Sequence, residues 1–303
     1  NCFIISGRGQ RPHDDSYEGV GYGAPNISKA YMVNYRKSHF QEADIQAPPK
    51  TWDEWIEAAK KLTKDSNNDG ITDQWGLIIG LKGPLGYRMI ANLLFGAGGR
   101  FLHDGKVKVD TPEMNRVFQF LVDLRNKHKV VPLEVNNIDY LNLVDRFKRG
   151  NIAMAMFGFE LPSQLGFPED MGQSLLPAPT LERLGTTSID YEVIGVNPWS
   201  KNKAASMLYI DLKRSKQAQV NELVIEKNLS SWLPTYDDPT IVELVPAAAV
   251  LQQALQKADL QVYPEIGETS SILVKELSDA LLEKKTVAQA LADAQKQVDL
   301  VKK

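Results

Sequence analysis

Residues 140–157, YLNLVDRFKRGNIAMAMF, decide the fold class of this chain. Tyr140 to Arg149 predicts a helix, Gly150 is the residue type that most often ends one, and Ile152 to Phe157 predicts a buried strand. A helix that returns at once into a strand is typical of mixed α/β proteins. Because a single core stops growing at about 250 to 300 residues, a chain of 303 residues favours two lobes of this type.

Helices with clear start signals lie on both sides of this stretch. Thr51 with Glu54 and Thr286 with Gln289 have the pattern of a capping box, and Thr111 before Pro112 is a predicted N-cap. The apolar residues after Thr51 recur with a helical period, which places Trp52 and Trp55 on one stripe. We therefore expect these two tryptophans to pack in the core and not to bind a ligand.

Two further regions carry weaker patterns. The first 50 residues are rich in glycine and proline, and only Cys2 to Ile5 and Tyr31 to Tyr35 resemble strands. This region is therefore predicted to connect other elements. Residues 202–214 predict a helix whose Leu208, Tyr209 and Leu212 face a core.

The composition excludes several classes of function. The 35 lysines and arginines nearly balance the 38 aspartates and glutamates, and the net charge of −3 does not favour nucleic-acid binding. A single cysteine excludes an intrachain disulfide framework, and the four histidines lack the spacing of a zinc site. Apolar stretches such as Ile152 to Phe159 are much shorter than the roughly 20 residues that cross a bilayer. A globular protein without thiol or zinc chemistry is expected.

Short segments along the chain are similar to one known family. Near the start they are Gly23-Ala24-Pro25, Met32-Val33-Asn34-Tyr35-Arg36-Lys37 and Pro48-Pro49-Lys50-Thr51-Trp52-Asp53-Glu54. Later segments follow in the same order, and these are Gly98-Gly99-Arg100-Phe101, Phe120-Leu121-Val122-Asp123-Leu124, Phe147 to Met154, Leu233-Pro234-Thr235 and Thr286 to Lys296. From about Gly19 to the C-terminus, the chain resembles the family 1 extracellular solute-binding proteins, the maltose-binding-like receptors of ABC importers.

This resemblance implies an α/β, two-lobed periplasmic-binding-protein-like fold of type II, with the ligand cleft between the lobes. Residues 1–27 and 193–240 would form a partial first lobe and residues 30–188 and 246–303 the second, with hinge crossings near 28, 190 and 242. Members of the family begin with a segment that builds most of the first lobe, and this chain has no counterpart of it before Gly19. A first lobe without that segment is expected to expose apolar surface and unpaired strand edges.

The resemblance also implies a function. We expect a protein outside the cytoplasm, in the periplasm or as a lipoprotein on the outer face of the membrane. It would capture a carbohydrate, in particular an oligosaccharide, by closure of its lobes and deliver it to ABC permease subunits in the membrane. A monomer without catalytic residues or a cofactor is expected for this role.

Aromatic and polar residues at the expected cleft are candidate ligand contacts, because aromatic faces stack on sugars and polar groups bind their hydroxyls. By position, Tyr87 resembles the cleft aromatic of the family. Phe159 and Glu160 stand where many members carry a sugar-stacking tryptophan. Phe159 either stacks on the ligand or belongs to the core, and Glu160 suggests a carboxylate that accepts hydrogen bonds from hydroxyl or cationic groups.

The crossings and two turns supply the other candidate ligand contacts. These are Asn26, Ser28, Asp190, Tyr191 and Glu192 at the crossings, Trp232 and Tyr236 in a loop, and Ser270 before the penultimate helix. Trp232 is the strongest aromatic candidate, since it stands outside any helical stripe. Thr269, beside Ser270, is a predicted N-cap, and this structural role disfavours ligand contact there.

Residues 65–73, DSNNDGITD, match the start of a calcium loop. The ligands would be Asp65, Asn67, Asp69, the carbonyl of Ile71 and Asp73. The twelfth position of the pattern is Gly76 and not the bidentate glutamate, so a structural Ca²⁺ would need a carboxylate from elsewhere. A solvated turn stabilised by Asx hydrogen bonds explains the same residues, and both interpretations stay open.

Two other functions remain as alternatives. A carbohydrate-active hydrolase would use paired carboxylates such as Glu160 and Glu192, which must lie about 5 to 10 Å apart across the scissile bond. The sequence contains no Gly-x-Ser-x-Gly, His-Glu-x-x-His or Walker motif, which disfavours several enzyme classes. A sensory receptor would use the same lobe closure to signal to a membrane partner.

Overall fold

The structure is a computed structural model, and it describes residues 16–17, 20–21, 24–166, 169–226, 229–230, 233–245, 247–260 and 263–301. The strands are β1 (Ser16–Tyr17), β2 (Val20–Gly21), β3 (Ala24–Arg36), β4 (Trp75–Ile78), β5 (Leu102–His103), β6 (Lys106–Val107), β7 (Ile152–Gly158), β8 (Met171–Ser174), β9 (Ile189–Ile194) and β10 (Leu229–Ser230). The predicted strand at Cys2 to Ile5 lies outside the described residues.

The helices are α1 (Lys37–Glu42), α2 (Trp52–Leu62), α3 (Gly83–Gly96), α4 (Pro112–Asn126), α5 (Tyr140–Lys148), α6 (Leu161–Gln164), α7 (Lys203–Lys213), α8 (Lys216–Asn221), α9 (Pro239–Leu244), α10 (Ala248–Lys257), α11 (Ile266–Leu281) and α12 (Val287–Asp299). Short 3-10 segments lie at Val135–Asn137, Leu181–Arg183 and Leu233–Asp237, and a π-helical turn lies at Glu222–Glu226. Within this described part of the chain, no helix has both the length and the apolarity that a bilayer-spanning helix needs.

The 13-residue strand β3 joins the two halves of the main sheet. Its first half pairs antiparallel with β9, where Ala30 lies opposite Ile189, and with β10. Its second half pairs antiparallel with β7 and β8, and β4 lies parallel to β7. The predicted strand at Tyr31 to Tyr35 lies within β3, but β3 begins earlier, at Ala24, where only connecting turns were predicted. Pairing on both sides keeps β3 extended, and the turn-forming residues produce only a bulge between Pro25 and Ile27.

Two separate hydrophobic clusters share strand β3. The larger cluster includes Tyr31 and Val33 and extends through α2, α3, α4, β7, α11 and α12. The smaller cluster includes Ala30 and Met32, together with residues of β9, α9 and α10. Because successive residues of a strand point to opposite faces, one strand can serve both clusters. The two clusters therefore pack on opposite faces of this part of β3.

Local start signals place the helices of the larger cluster as predicted, except that the Glu54 carboxylate accepts from the Lys50 amide at 2.8 Å and not from the Thr51 amide, so α2 lacks the second hydrogen bond of its predicted capping box. Thr51, Thr111 and Thr286 each accept a hydrogen bond from the amide three residues further along, at the starts of α2, α4 and α12. Trp52 and Trp55 are buried in the larger cluster. The side-chain caps satisfy amides that have no partner within the helix, which explains why these boundaries could be predicted.

The third crossing between the lobes, near Val242, stays a prediction. The sequence placed it near Val242, with residues from 246 onward in the second lobe. In the structure, α9 and α10 pack in the smaller cluster through Ile241, Leu251 and Leu255, and the chain rejoins the larger cluster at Tyr263. Helix α10 packs against β3 and covers the face that the smaller cluster uses.

The apolar stripe of α7 is exposed to solvent. Leu208 is 70% exposed and Leu212 is 63% exposed, and the nearby Trp199 is 86% exposed. The helix itself was predicted, but the predicted burial of Leu208, Tyr209 and Leu212 was wrong.

Helix α11 begins earlier than predicted. Its N-cap is Glu265, and the amide of Thr269 already donates to the Glu265 carbonyl at 2.9 Å. Thr269 is therefore a fully buried residue inside the helix and not its N-cap. Ser270 follows it as a half-buried helical residue, whereas the sequence placed it in a turn.

Candidate functional site

The carboxyl ends of β4 and β7 meet at one edge of the main sheet. These two strands are parallel, with Leu77 opposite Met154, and β3 runs antiparallel beside β7, with Tyr31 opposite Gly158. Toward its N-terminal end β3 continues with β9 as its partner, and Ala30 and Met32 of β3 pack in the smaller cluster. We call the region formed by residues 79–87 and 158–160 the carboxyl edge. Ligands of open α/β sheets bind outside the carboxyl ends of the strands, so this edge is the candidate site.

The residues that follow β7 have different surroundings. Phe159 is 7% exposed, donates its amide to the Ala30 carbonyl at 3.2 Å and packs in the smaller cluster. Of its two predicted roles, the structure favours the core residue. Glu160 is half-buried, and its carboxylate folds back over Gly158, where an added methyl group would collide with it. A carboxylate in this place can accept hydrogen bonds from hydroxyl or ammonium groups.

Tyr87 lies in the second turn of α3 and belongs to an aromatic group. Its ring stacks on Phe101 with centroids 5.3 Å apart, and its hydroxyl lies 3.0 Å from the Tyr263 hydroxyl. Burial raises the pKa of Tyr263 to about 12, so this hydroxyl stays protonated at neutral pH. Tyr87 is half-buried and presents only part of its ring to the edge. The role of Tyr263 was not predicted, because no periodic pattern includes it.

Helix α3 begins at the carboxyl edge. Lys82 is its N-cap, Gly83 has a φ of +59° that glycine adopts without strain, and Pro84 follows. Among the described residues, no side chain caps this end of α3. Its first-turn amides can therefore donate to a bound polar or anionic group. This helix start was not predicted, although a Gly-Pro pair after a buried strand is a signal for it.

Strands β3 and β9 carry the predicted residues of the first two crossings. Asn26 falls within the bulge of β3, and Ser28 lies opposite Tyr191. For these residues and Asp190, the structure describes the backbone. Glu192 is exposed on β9. All five residues lie on the paired strands β3 and β9, and their contact with a ligand stays a prediction.

Tyr236 does not lie in an exposed loop. It belongs to the 3-10 segment at Leu233–Asp237, packs in the smaller cluster and donates its hydroxyl to the Ser230 carbonyl at 3.1 Å. Burial raises its pKa well above the usual value. The predicted loop position was therefore wrong, because this ring packs in the smaller cluster. Trp232 lies outside the described residues, and its contact with a ligand stays a prediction.

A buried hydrogen-bond network joins α3 to the second crossing. Asn92 Oδ1 accepts from Thr187 Oγ1 at 2.5 Å and from the Ser188 amide at 2.7 Å. The Thr187 hydroxyl accepts from the Tyr31 amide at 3.1 Å. Satisfied buried polar groups fix their neighbours in one arrangement. The start of β9 is thus held against the larger cluster by residues that were not predicted.

The loop at residues 65–73 satisfies its carboxylates with its own backbone. Asp65 accepts from the Gly70 amide at 2.8 Å, and Asp69 accepts from the Ile71 amide at 2.8 Å. Asp73 accepts from the amide of residue 66 at 2.7 Å. Within the described residues, no group of three or more His, Cys, Asp or Glu side chains has a metal-binding arrangement. The Asx-turn interpretation accounts for this geometry, and calcium binding stays a prediction.

Comparison with known proteins identifies the family. The sequence model of the bacterial extracellular solute-binding proteins matches residues 7–220. The chain belongs to this family. The resemblance inferred from short segments of the sequence is thereby confirmed.

Two curated relatives of this solute-binding protein have different names. An uncharacterized ABC transporter extracellular-binding protein of Pyrococcus horikoshii is 23% identical over 267 residues, which are 78% of this chain and 57% of the relative. A protein of Sinorhizobium fredii, named a "probable amino-acid ABC transporter periplasmic-binding protein", is 24% identical over 293 residues, which are 91% of this chain and 63% of the relative. The chain thus spans less than two thirds of the length of both relatives.

A solved structure supports the fold. Maltose-bound MalE3 of T. maritima has a TM-score of 0.82 and 24% sequence identity, over 94% of this chain and 73% of that chain. Similarity at this identity shows a shared fold and leaves the ligand of this chain open. The expected two-lobed α/β fold of the solute-binding proteins is confirmed.

Proposed function

We propose that this chain is the solute-binding component of an ABC importer and that it binds a carbohydrate, in particular an oligosaccharide, at the carboxyl edge. The position of this edge carries the proposal, because the edge lies where β3 changes its pairing from β7 to β9. A solute bound there would contact both lobes. Such contacts are required, since a ligand favours closure only when it binds the closed arrangement more tightly.

The groups at the edge suit a polyhydroxy solute. The Glu160 carboxylate can accept from hydroxyl groups, and the first-turn amides of α3 can donate to hydroxyl oxygens. The exposed part of Tyr87 offers an aromatic surface, and Trp232 is proposed as the stacking residue from its position in the sequence. Ser270 on α11 and the five crossing residues complete the proposed set of contacts.

The proposal includes a location and a partner. The protein would act outside the cytoplasm, in the periplasm or as an outer-face lipoprotein, and as a monomer that delivers its solute to permease subunits in the membrane. The family description and the ABC transporter names of both relatives support this. Family membership favours this role over hydrolysis by Glu160 and Glu192. A sensory receptor would use the same closure of the lobes around a solute, but it would signal to a membrane partner and would not deliver the solute to a permease.

A second candidate ligand is an amino acid, which the name of the Sinorhizobium relative favours. In that case the Glu160 carboxylate would accept from the α-ammonium group, and the first turn of α3 would bind the α-carboxylate. Both ligand classes would therefore bind at the same edge. An amino acid would bind there through its charged groups, and a carbohydrate through its neutral hydroxyls.

A thermal-shift screen of the full chain tests the proposal. The panel contains mono- and oligosaccharides, polyols and amino acids. A ligand present at 100 times its Kd is expected to add about 2.7 kcal/mol to the free energy of unfolding. Stabilisation by a saccharide supports the first candidate, and stabilisation by amino acids alone supports the second. No shift with any member contradicts the proposed function, and release of shorter sugars on long incubation would favour the hydrolase.

A further inference from the structure

Two amide side chains lie beneath the turn that carries Glu160. Asn34 on β3 is fully buried, and Gln173 on β8 is half-buried. The two residues stand opposite each other in the pairing of these strands. Neither was predicted as part of the site, because a polar residue within an apolar strand gives no signal of its partner.

These amides bond to three successive backbone carbonyls at the end of β7. Asn34 Nδ2 lies 3.3 Å from the Phe157 oxygen and 3.4 Å from the Gly158 oxygen. Gln173 Nε2 lies 2.8 Å from Asn34 Oδ1 and 3.1 Å from the Phe159 oxygen. Rotating either amide by half a turn would bring oxygen against oxygen. The hydrogen-bond pattern therefore fixes the orientation of both side chains.

The position of this turn determines where the Glu160 carboxylate lies. The carboxylate rests against Gly158, in the space that a β-carbon would occupy. Because the carbonyls of residues 157–159 are tied to two neighbouring strands, the turn cannot tilt without breaking buried hydrogen bonds. Leaving such buried groups without a partner is unfavourable, so the turn is held in one position.

We propose that Asn34 and Gln173 are positioning residues, which hold the Glu160 carboxylate at the carboxyl edge so that it selects solutes with hydroxyl donors. This inference rests on the proposed function, which supplies the ligand. It adds the residues that set the selectivity of the site for that ligand. An ionised carboxylate only accepts hydrogen bonds. It therefore favours a polyhydroxy solute over an analogue whose hydroxyls are methylated.

Gln173→Met tests the positioning without any ligand. Methionine keeps the approximate length of the side chain and removes both donors. Hydrogen exchange of the full chain is expected to become about tenfold faster at the amides of residues 158–161. Gln295→Met is the matched control, since Gln295 lies on α12 and accepts a hydrogen bond from the Val109 amide at 2.7 Å. Unchanged exchange at residues 158–161 in Gln173→Met, or equal acceleration in the control, would overturn the positioning role.

Titration with the best saccharide from the thermal screen tests the selectivity. Gln173→Met is expected to raise Kd about tenfold in the wild-type background and less than twofold in a Glu160→Ala background. Methylation of the solute should weaken binding more in the wild type than in Glu160→Ala. If Gln173→Met raised Kd by the same factor in both backgrounds, Gln173 would have only a structural role, and the proposal would be overturned. If the wild type binds no solute, the proposed function fails, and the exchange measurement still decides the positioning.

Discussion

Trp52 and Trp232 have different expected roles in this protein. Trp52 is buried, stacks on Phe120 with centroids 4.3 Å apart and donates its indole N–H to the Pro177 carbonyl at 3.2 Å. All of its surroundings belong to the larger lobe, away from the carboxyl edge. Trp232 follows no helical stripe, and its predicted role is stacking on the ligand.

Alanine substitutions separate these roles. Trp52→Ala is expected to lower the free energy of unfolding by about 3–5 kcal/mol, since it leaves a cavity in the core, and to leave the Kd of the folded protein unchanged. Trp232→Ala is expected to raise Kd with a smaller loss of stability. Urea unfolding and calorimetric titration measure the two effects. Equal changes in Kd, after correction for the folded fraction, would contradict the assignment of Trp232.

Glu276 is a buried carboxylate with three donors. Its side chain is fully buried on α11 and accepts hydrogen bonds from Lys275 at 2.8 Å, Lys285 at 2.6 Å and Gln297 at 2.9 Å. Burial by itself would raise the pKa of Glu276, but these hydrogen bonds hold the pKa below its usual value. The network joins α11 to α12.

This lowered pKa predicts a stability that depends on pH. Because the pKa is lower in the folded state than in the unfolded state, the stabilisation is present above the unfolded value of about 4.3 and is lost as the pH falls through the folded value. Glu276→Gln is expected to lose roughly 1–3 kcal/mol at neutral pH and to flatten the acid limb of the stability curve. Urea midpoints across the acid range measure this, with Glu243→Gln at an exposed position of α9 as control. A parallel acid limb in Glu276→Gln would contradict the prediction.

At the scale of elements, the sequence predicts those helices whose start signals and apolar periods agree. Helices α2, α4 and α12 begin at their predicted caps because these hydrogen bonds span only three residues. Strand β3 could not be predicted in full, since its extension depends on partners more than 100 residues away, and these override the local turn signals.

The candidate site likewise contains residues that the sequence predicts and residues that it does not. Glu160 could be placed at the end of a strand from its neighbours in the sequence, and the structure puts it at the carboxyl edge. Asn34 and Gln173 are 139 residues apart and meet only through strand pairing, so no local pattern could indicate them. The buried position of Tyr236 likewise depends on the packing of α9 and α10 around it.

Helix α7 provides a test of the exposed stripe. Leu208 on α7 is 70% exposed, whereas Leu255 on α10 is 2% exposed. Leu208→Ala is therefore expected to change the free energy of unfolding by no more than about 0.5 kcal/mol, and Leu255→Ala to lower it by about 2–5 kcal/mol. Urea unfolding of the full chain measures both variants. A large loss of stability in Leu208→Ala would show that this side chain is covered.

At the scale of the whole molecule, two hydrophobic clusters share β3 and meet at the carboxyl edge. In the two-lobed fold of the family, we expect the lobes to move as units about the crossing strands β3 and β9, as in hinge closure around a ligand. The Asn92 network holds the start of β9 to the larger cluster, so the motion would take place beyond Ser188. A solute at the edge would then stabilise the closed arrangement through contacts with both lobes.

The distance between two spin labels tests this central claim most directly. One label replaces Leu141, an exposed residue of α5 in the larger lobe, and the other replaces Glu243 on α9, with Cys2→Ser in the background. The account predicts that a saturating solute shortens the mean distance between the labels, and that Glu160→Ala needs a higher solute concentration for the same change. Identical distance distributions with and without bound solute would contradict it.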